Sequence, residues 1–104
     1  MPDLQHGSIA TLIEFTVDVA RLDEFLAYMA EVAPGTRSFA GNLGFWTYAD
    51  PENPAHVVHH VAWDSLASQL RYMEWRESTG VFDMIRSFII EGPQLTYWQL
   101  TDIY

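Results

Sequence analysis

The chain contains no cysteine and no lysine, and all five of its basic residues are arginine. Without cysteine there is no disulfide framework and no thiolate nucleophile. Scarce basic residues beside 14 acidic ones leave a formal charge of −9. That charge repels phosphate backbones and anionic bilayers, which argues against nucleic acid and membrane surfaces as partners. No apolar run reaches the roughly 18 residues that cross a bilayer. The opening MPDLQHGS lacks a basic region followed by an apolar stretch, so no secretory signal is expected and cytoplasmic placement is the expectation.

What is present is apolar and aromatic: 49% hydrophobic residues and 14% Phe, Trp and Tyr over 104 positions. That length and content suit one domain with one core. Residues 1–8 read as a loose arm and 9–104 as a single domain. Thr11, Ile13, Phe15 and Val17 alternate with Leu12, Glu14 and Thr16, which predicts a strand over 9–17. Asp18 is placed to cap a helix whose Leu22, Phe25, Leu26, Met29 and Val32 form an apolar stripe. "APG" at 33–35 predicts its end.

Residues 43–49 and 56–63 read as a hairpin joined through DPENP at 50–54, a run unsuited to a strand. Asp64 and Ser65 then open a second helix reaching about Ser78, with Leu66, Leu70 and Met73 near one face. Gly80 breaks it. Further helical turns carry Val81, Phe82, Ile85, Phe88 and Ile89 inward and are closed by Gly92-Pro93. Residues 94–101 make the last strand. The order is βαββαβ, an α+β ferredoxin-like arrangement: an antiparallel four-stranded sheet with helices on one face. Leu12, Val58 and Ala62 make the other face apolar, so a homodimer through that face is expected.

The element order, Gly41 before the second strand, the Asp50-Pro51 turn and the Trp63-Asp64-Ser65 junction together resemble the antibiotic biosynthesis monooxygenase family over about residues 9–101. The resemblance implies a dimeric α+β barrel with a pocket between the sheet and helices of each subunit. It also implies oxidation of a hydroxylated, polycyclic aromatic substrate by dioxygen with no metal, flavin or other cofactor. In the family the Trp that ends the third strand lines the pocket, here Trp63. A polar residue, usually Asn, stands four positions earlier, here His59. A first-strand Asn recurs in one branch where this chain has Ile13. The same barrel hosts polyketide cyclases and lactone isomerases, and a non-enzymatic small-molecule-binding dimer is a further alternative.

Strand alternation puts Val57, His59, Val61 and Trp63 on one face and Val58, His60 and Ala62 on the other. A helix starts directly after Trp63, which assigns His59 and Trp63 to the pocket and His60 to the opposite side. A neutral imidazole near its ordinary pKa of about 6.5 can take a phenol's proton, and an electron-rich anion can pass an electron to dioxygen. His59 and Trp63 are therefore the catalytic candidates. The other reading of His59 is a core histidine satisfied by a nearby hydroxyl or carbonyl. Tyr48 is a candidate partner for a substrate oxygen and Trp46 shares its face. Ile13, Phe15, Phe25, Met29 and Tyr72 are core residues that become pocket walls if a cavity exists. Arg86 borders the last helix, where it could meet an anionic group or solvent. His56 falls at the hairpin edge, and no metal site is expected.

Overall fold

The computed structural model describes residues 7–102. In chain order it comprises β1 (Ile9–Val17), a 3-10 turn (Val19–Arg21), α1 (Leu22–Arg37), β2 (Asn42–Asp50), β3 (Asn53–Trp63), α2 (Leu66–Thr79), α3 (Val81–Phe88) and β4 (Ile89–Gln99). The sheet is antiparallel with order β2-β3-β1-β4. This is the α+β, ferredoxin-like arrangement the element order predicts. Residues 1–6 of the expected arm lie outside the described residues. Gly7 and Ser8 extend the β1–β4 edge: the Gly7 N–H donates to the Leu100 carbonyl at 2.9 Å, and the Leu100 N–H to the Ser8 carbonyl at 2.8 Å.

The register sets which side chains the helices cover. Thr11, Ile13 and Phe15 on β1 stand opposite Val61, His59 and Val57 on β3. Phe45 and Thr47 on β2 face Val61 and His59 from the other side. Phe15, Val17, Phe25, Val57 and Phe88 bury together at one end of this layer, and Ala33, Phe45, Val61, Trp63 and Tyr72 at the other. Ser65 starts α2 as a side-chain cap, its hydroxyl accepting from the Ser68 N–H at 3.2 Å. Gly80 ends it in the left-handed region at φ 81°. Asp18 caps the 3-10 turn, accepting from the Ala20 N–H at 3.0 Å, while α1 begins behind it without a side-chain cap.

Four features differ from the sequence reading. α1 runs through Pro34 and Gly35 to Arg37. Proline removes its own N–H and crowds the preceding turn, but the final turn is held by Arg76, which donates to the Val32 carbonyl at 2.7 Å and to Thr36 Oγ1 at 3.1 Å. The hairpin turn is shorter than DPENP: β3 already includes Asn53 and Pro54, at the start of a strand, where proline is tolerated.

α3 stops at Phe88, and Gly92-Pro93 falls inside β4 rather than closing a helix. β4 is an edge strand, so the missing Pro93 N–H is accommodated, and Gly92 at φ 93° occupies an irregularity in the pairing with β1. A Cβ at Gly92 would sit 2.9 Å from the Glu14 carbonyl oxygen.

The fourth difference is the facing of α2. Leu66 and Leu70 are exposed, while Ser68, Gln69, Tyr72 and Arg76 are buried. The helix turns a polar stripe, not its leucines, toward the sheet.

Candidate functional site

A cavity of about 110 Å³, partly open to solvent, lies between the sheet and the helices. His59 and Trp63 both line it. Met29 and Tyr72 stand on its wall rather than filling it. Each strand contributes through its helix-facing parity, β1 with Thr11, Ile13 and Phe15 and β2 with Phe45. The polar stripe of α2 brings Gln69, Tyr72 and Arg76 to the same space.

His59 is 4% exposed and walled by phenylalanines. Its ring is edge-on to Phe45 at 5.0 Å and to Phe15 at 5.1 Å between centroids, and stacked with Phe25 at 6.3 Å. Burial among these rings pushes its pKa down from 6.5 to about 4. The imidazole is thus neutral at physiological pH and a weaker base than its unperturbed value suggests. Its Nε2 has no hydrogen-bond partner, so the reading as a core histidine satisfied by a neighbouring group is not supported.

Trp63 is 1% exposed, its indole packed against Tyr72 at 4.8 Å and edge-on to Phe39 at 6.1 Å.

Thr11 Oγ1 and both amide atoms of Gln69 are also buried without partners, and both residues line the cavity. Among the described residues, every orphaned buried side-chain polar atom belongs to this one cavity. Each such atom costs about 1–3 kcal/mol relative to a satisfied one. Buried polar atoms are paired in the large majority of cases, and a cluster of exceptions marks a place awaiting hydrogen bonds from a ligand or water.

Of the other sequence candidates, Ile13, Phe15, Met29, Tyr72 and Arg86 line the cavity. Phe25 is buried behind His59 and is not among the lining residues. Tyr48 and Trp46 lie elsewhere: they share the opposite sheet face with His60, with ring centroids 6.4 and 4.8 Å from it. Strand parity separates them from His59, because Thr47 and not Tyr48 stands opposite it. Arg86 is half exposed and paired with Glu77 and Asp83 at 3.0 and 2.7 Å. His56 binds Glu14 at 2.6 Å, and this contact raises its pKa, with Asp50 adding to the shift.

Sequence reading missed Thr11 as a polar wall, and it missed Gln69 and Arg76 altogether. The spacing Gln69, Tyr72, Arg76 at three and four residues was the available signal.

The sequence pattern of the antibiotic biosynthesis monooxygenase family matches residues 8–85. No curated protein matches the chain in sequence. Solved structures share its fold at low identity. An antibiotic biosynthesis monooxygenase superposes with a TM-score of 0.81 at 15% identity, covering 90% of this chain and 99% of that one. A conserved protein from Methanosarcina mazei Go1 gives 0.81 at 14%, covering 88% and 90%. The protein Rv0793 from Mycobacterium tuberculosis gives 0.81 at 11%, covering 92% and 97%. Identities this low speak for the fold alone. The family match covers most of the described chain, including both His59 and Trp63, and on that ground the protein belongs to the antibiotic biosynthesis monooxygenase family.

Proposed function

We propose that this protein is a cofactor-independent monooxygenase that holds a hydroxylated aromatic molecule between His59 and Trp63 and oxidises it with dioxygen. The observation that carries the reading is the set of orphaned polar atoms on His59, Thr11 and Gln69 around one largely apolar cavity. An apolar pocket with a few convergent polar groups is what a small organic ligand requires. An engineered cavity of roughly 150 Å³ holds benzene. The present cavity, at about 110 Å³, is somewhat smaller but open to solvent, so it takes at most one ring inside with the rest of a larger polycycle at the mouth.

A neutral His59 meets the substrate oxygen through Nε2, accepting from the hydroxyl in one tautomer or donating to the oxyanion in the other. Trp63, Phe45 and Phe15 exclude water and present flat apolar surface to the ring. Loss of the hydroxyl proton gives an anion that passes one electron to dioxygen. Recombination at an activated CH₂ carbon gives a peroxide, and loss of water leaves a carbonyl. One oxygen atom ends in the product and the other in water. All four electrons come from the substrate, so no external reductant enters.

The reading includes a homodimer formed through the sheet face away from the helices. Tyr48, beside Trp46 and His60, is 54% exposed on that face, and Trp98, opposite Ala10 on β4, is 59% exposed. An aromatic sheet surface of this kind is suited to a second copy.

Oxygen consumption with a panel of one- to three-ring phenols and anthrones tests the activity. Protein-dependent uptake that disappears in His59→Ala is expected. Turnover of a substrate without oxygen uptake would show a cyclase or isomerase instead.

A further inference from the structure

Arg76 is the one arginine of the five that is buried, at 5% exposure, and it lines the cavity. Its hydrogen bonds all go to neutral oxygens. Nε donates to Tyr72 Oη at 3.0 Å, and Nη2 donates to the Val32 carbonyl at 2.7 Å and to Thr36 Oγ1 at 3.1 Å. Thr36 Oγ1 and Tyr72 Oη are themselves hydrogen-bonded at 2.6 Å. The guanidinium lies over the Trp75 ring at 4.3 Å and against Gly35, where a Cβ would come within 2.9 Å of Nη2. Among the described residues, Nη1, which is not fully buried, has no hydrogen-bond partner, and no carboxylate forms an ion pair with the group. A buried cation without a counter-ion is strongly disfavoured unless something supplies the missing charge.

The surroundings sharpen the asymmetry. The chain has a charge of −9, yet no Asp or Glu lines the cavity. The titratable groups facing this space are His59 on β3, Tyr72 and Arg76 on α2, and Arg86 on α3, the last already neutralised by Glu77 and Asp83. Tyr28 and Glu31 on α1 are also nearby: the Tyr28 pKa is raised, chiefly by burial, with the Arg76 charge acting to lower it and Glu31 to raise it. His59, depressed to about 4, contributes no positive charge at neutral pH.

We propose that Arg76 is the cation of the cavity and that the ligand is held there as an oxyanion, a phenolate or enolate whose charge Arg76 balances. The hydroxyl proton leaves for bulk water as the anion binds. This deepens the oxygenase reading by locating the positive charge that favours the reactive anion, a charge that a buried neutral His59 does not provide. It rests on that reading only in taking the cavity to be a ligand site. A low-dielectric cavity makes the attraction between guanidinium and oxyanion larger than at the surface.

4-Nitrophenol and its methyl ether, 4-nitroanisole, are the probes, because the first ionises near neutrality with a change of colour and the second cannot ionise. Neither needs to react, so failure here and failure of oxygenation are separately visible. The wild-type protein is expected to bind nitrophenolate at least about tenfold tighter than the ether, with the absorbance pKa of bound nitrophenol lowered by about a unit or more. Arg76→Gln should bring the bound pKa back toward its value in water, and Arg76→Lys should restore the lowering. Equal binding of phenolate and ether by the wild type, a bound pKa that is unchanged or raised, or a lowering that survives in Arg76→Gln overturns the proposal. The wild-type comparison decides the matter even if Arg76→Gln does not fold.

Discussion

The rings of His59 and Phe45 meet edge to face with centroids 5.0 Å apart, and the imidazole Nε2 beside them has no hydrogen-bond partner. A polar ring held dry and unsatisfied by its neighbours is costly to the free protein, and the consequences can be measured.

The acid side of the stability profile reports His59. Its folded pKa of about 4 lies below its ordinary value of 6.5, so the unfolded chain takes up this proton first as pH falls. Stability from this group is complete above pH 6.5 and is lost as the pH drops through about 4. The 2.5-unit gap amounts to about 3 kcal/mol. The half-buried His60, lowered by desolvation, acts in the same sense; His56, raised by Glu14, acts in the opposite one. Urea unfolding between pH 7 and 4 should show a slope near one proton that disappears in His59→Gln.

Gln69 carries two orphaned amide atoms at 1% exposure. Gln69→Leu removes both while nearly keeping the volume, so the free protein should gain about 1–2 kcal/mol. The same variant should bind cavity ligands several-fold more weakly, because it deletes a hydrogen-bonding wall. Thermal unfolding paired with a binding titration checks both directions at once.

Gly41 is the landmark residue before β2, and its requirement is steric as well as conformational. Its φ is 92°, its carbonyl accepts from the Asp64 N–H at 2.8 Å, and a Cβ would overlap the Ser68 side chain and lie 2.7 Å from Asp64 Oδ1. Gly41→Ala should therefore cost about 2 kcal/mol or more by denaturant titration, combining left-handed strain with displacement of the cap that starts α2.

Much of this was legible in the sequence for physical reasons. Strand alternation alone separated His59 from His60, and the Trp63-Asp64-Ser65 junction located the helix-covered face. The errors share a cause. Pro34 and Gly92-Pro93 look like breaks locally, but tertiary contacts from Arg76 and an edge position on the sheet absorb them. Leu66 and Leu70 suggested the buried face of α2 because apolar residues normally turn inward, whereas here the inward stripe serves a cavity and is polar. Tyr48 was a candidate for a substrate oxygen, but the β2–β3 register, which sequence does not display, puts it on the His60 face.

The central claim is that the ligand's ionisable oxygen engages His59 Nε2 inside the cavity. Long-range proton–nitrogen NMR of the imidazole, with and without a small phenol, measures this atom directly. The account predicts a neutral His59 whose Nε2 resonance moves on adding phenol, in proportion to occupancy and not on adding the corresponding methyl ether. An Nε2 resonance that stays fixed while the phenol binds would contradict it.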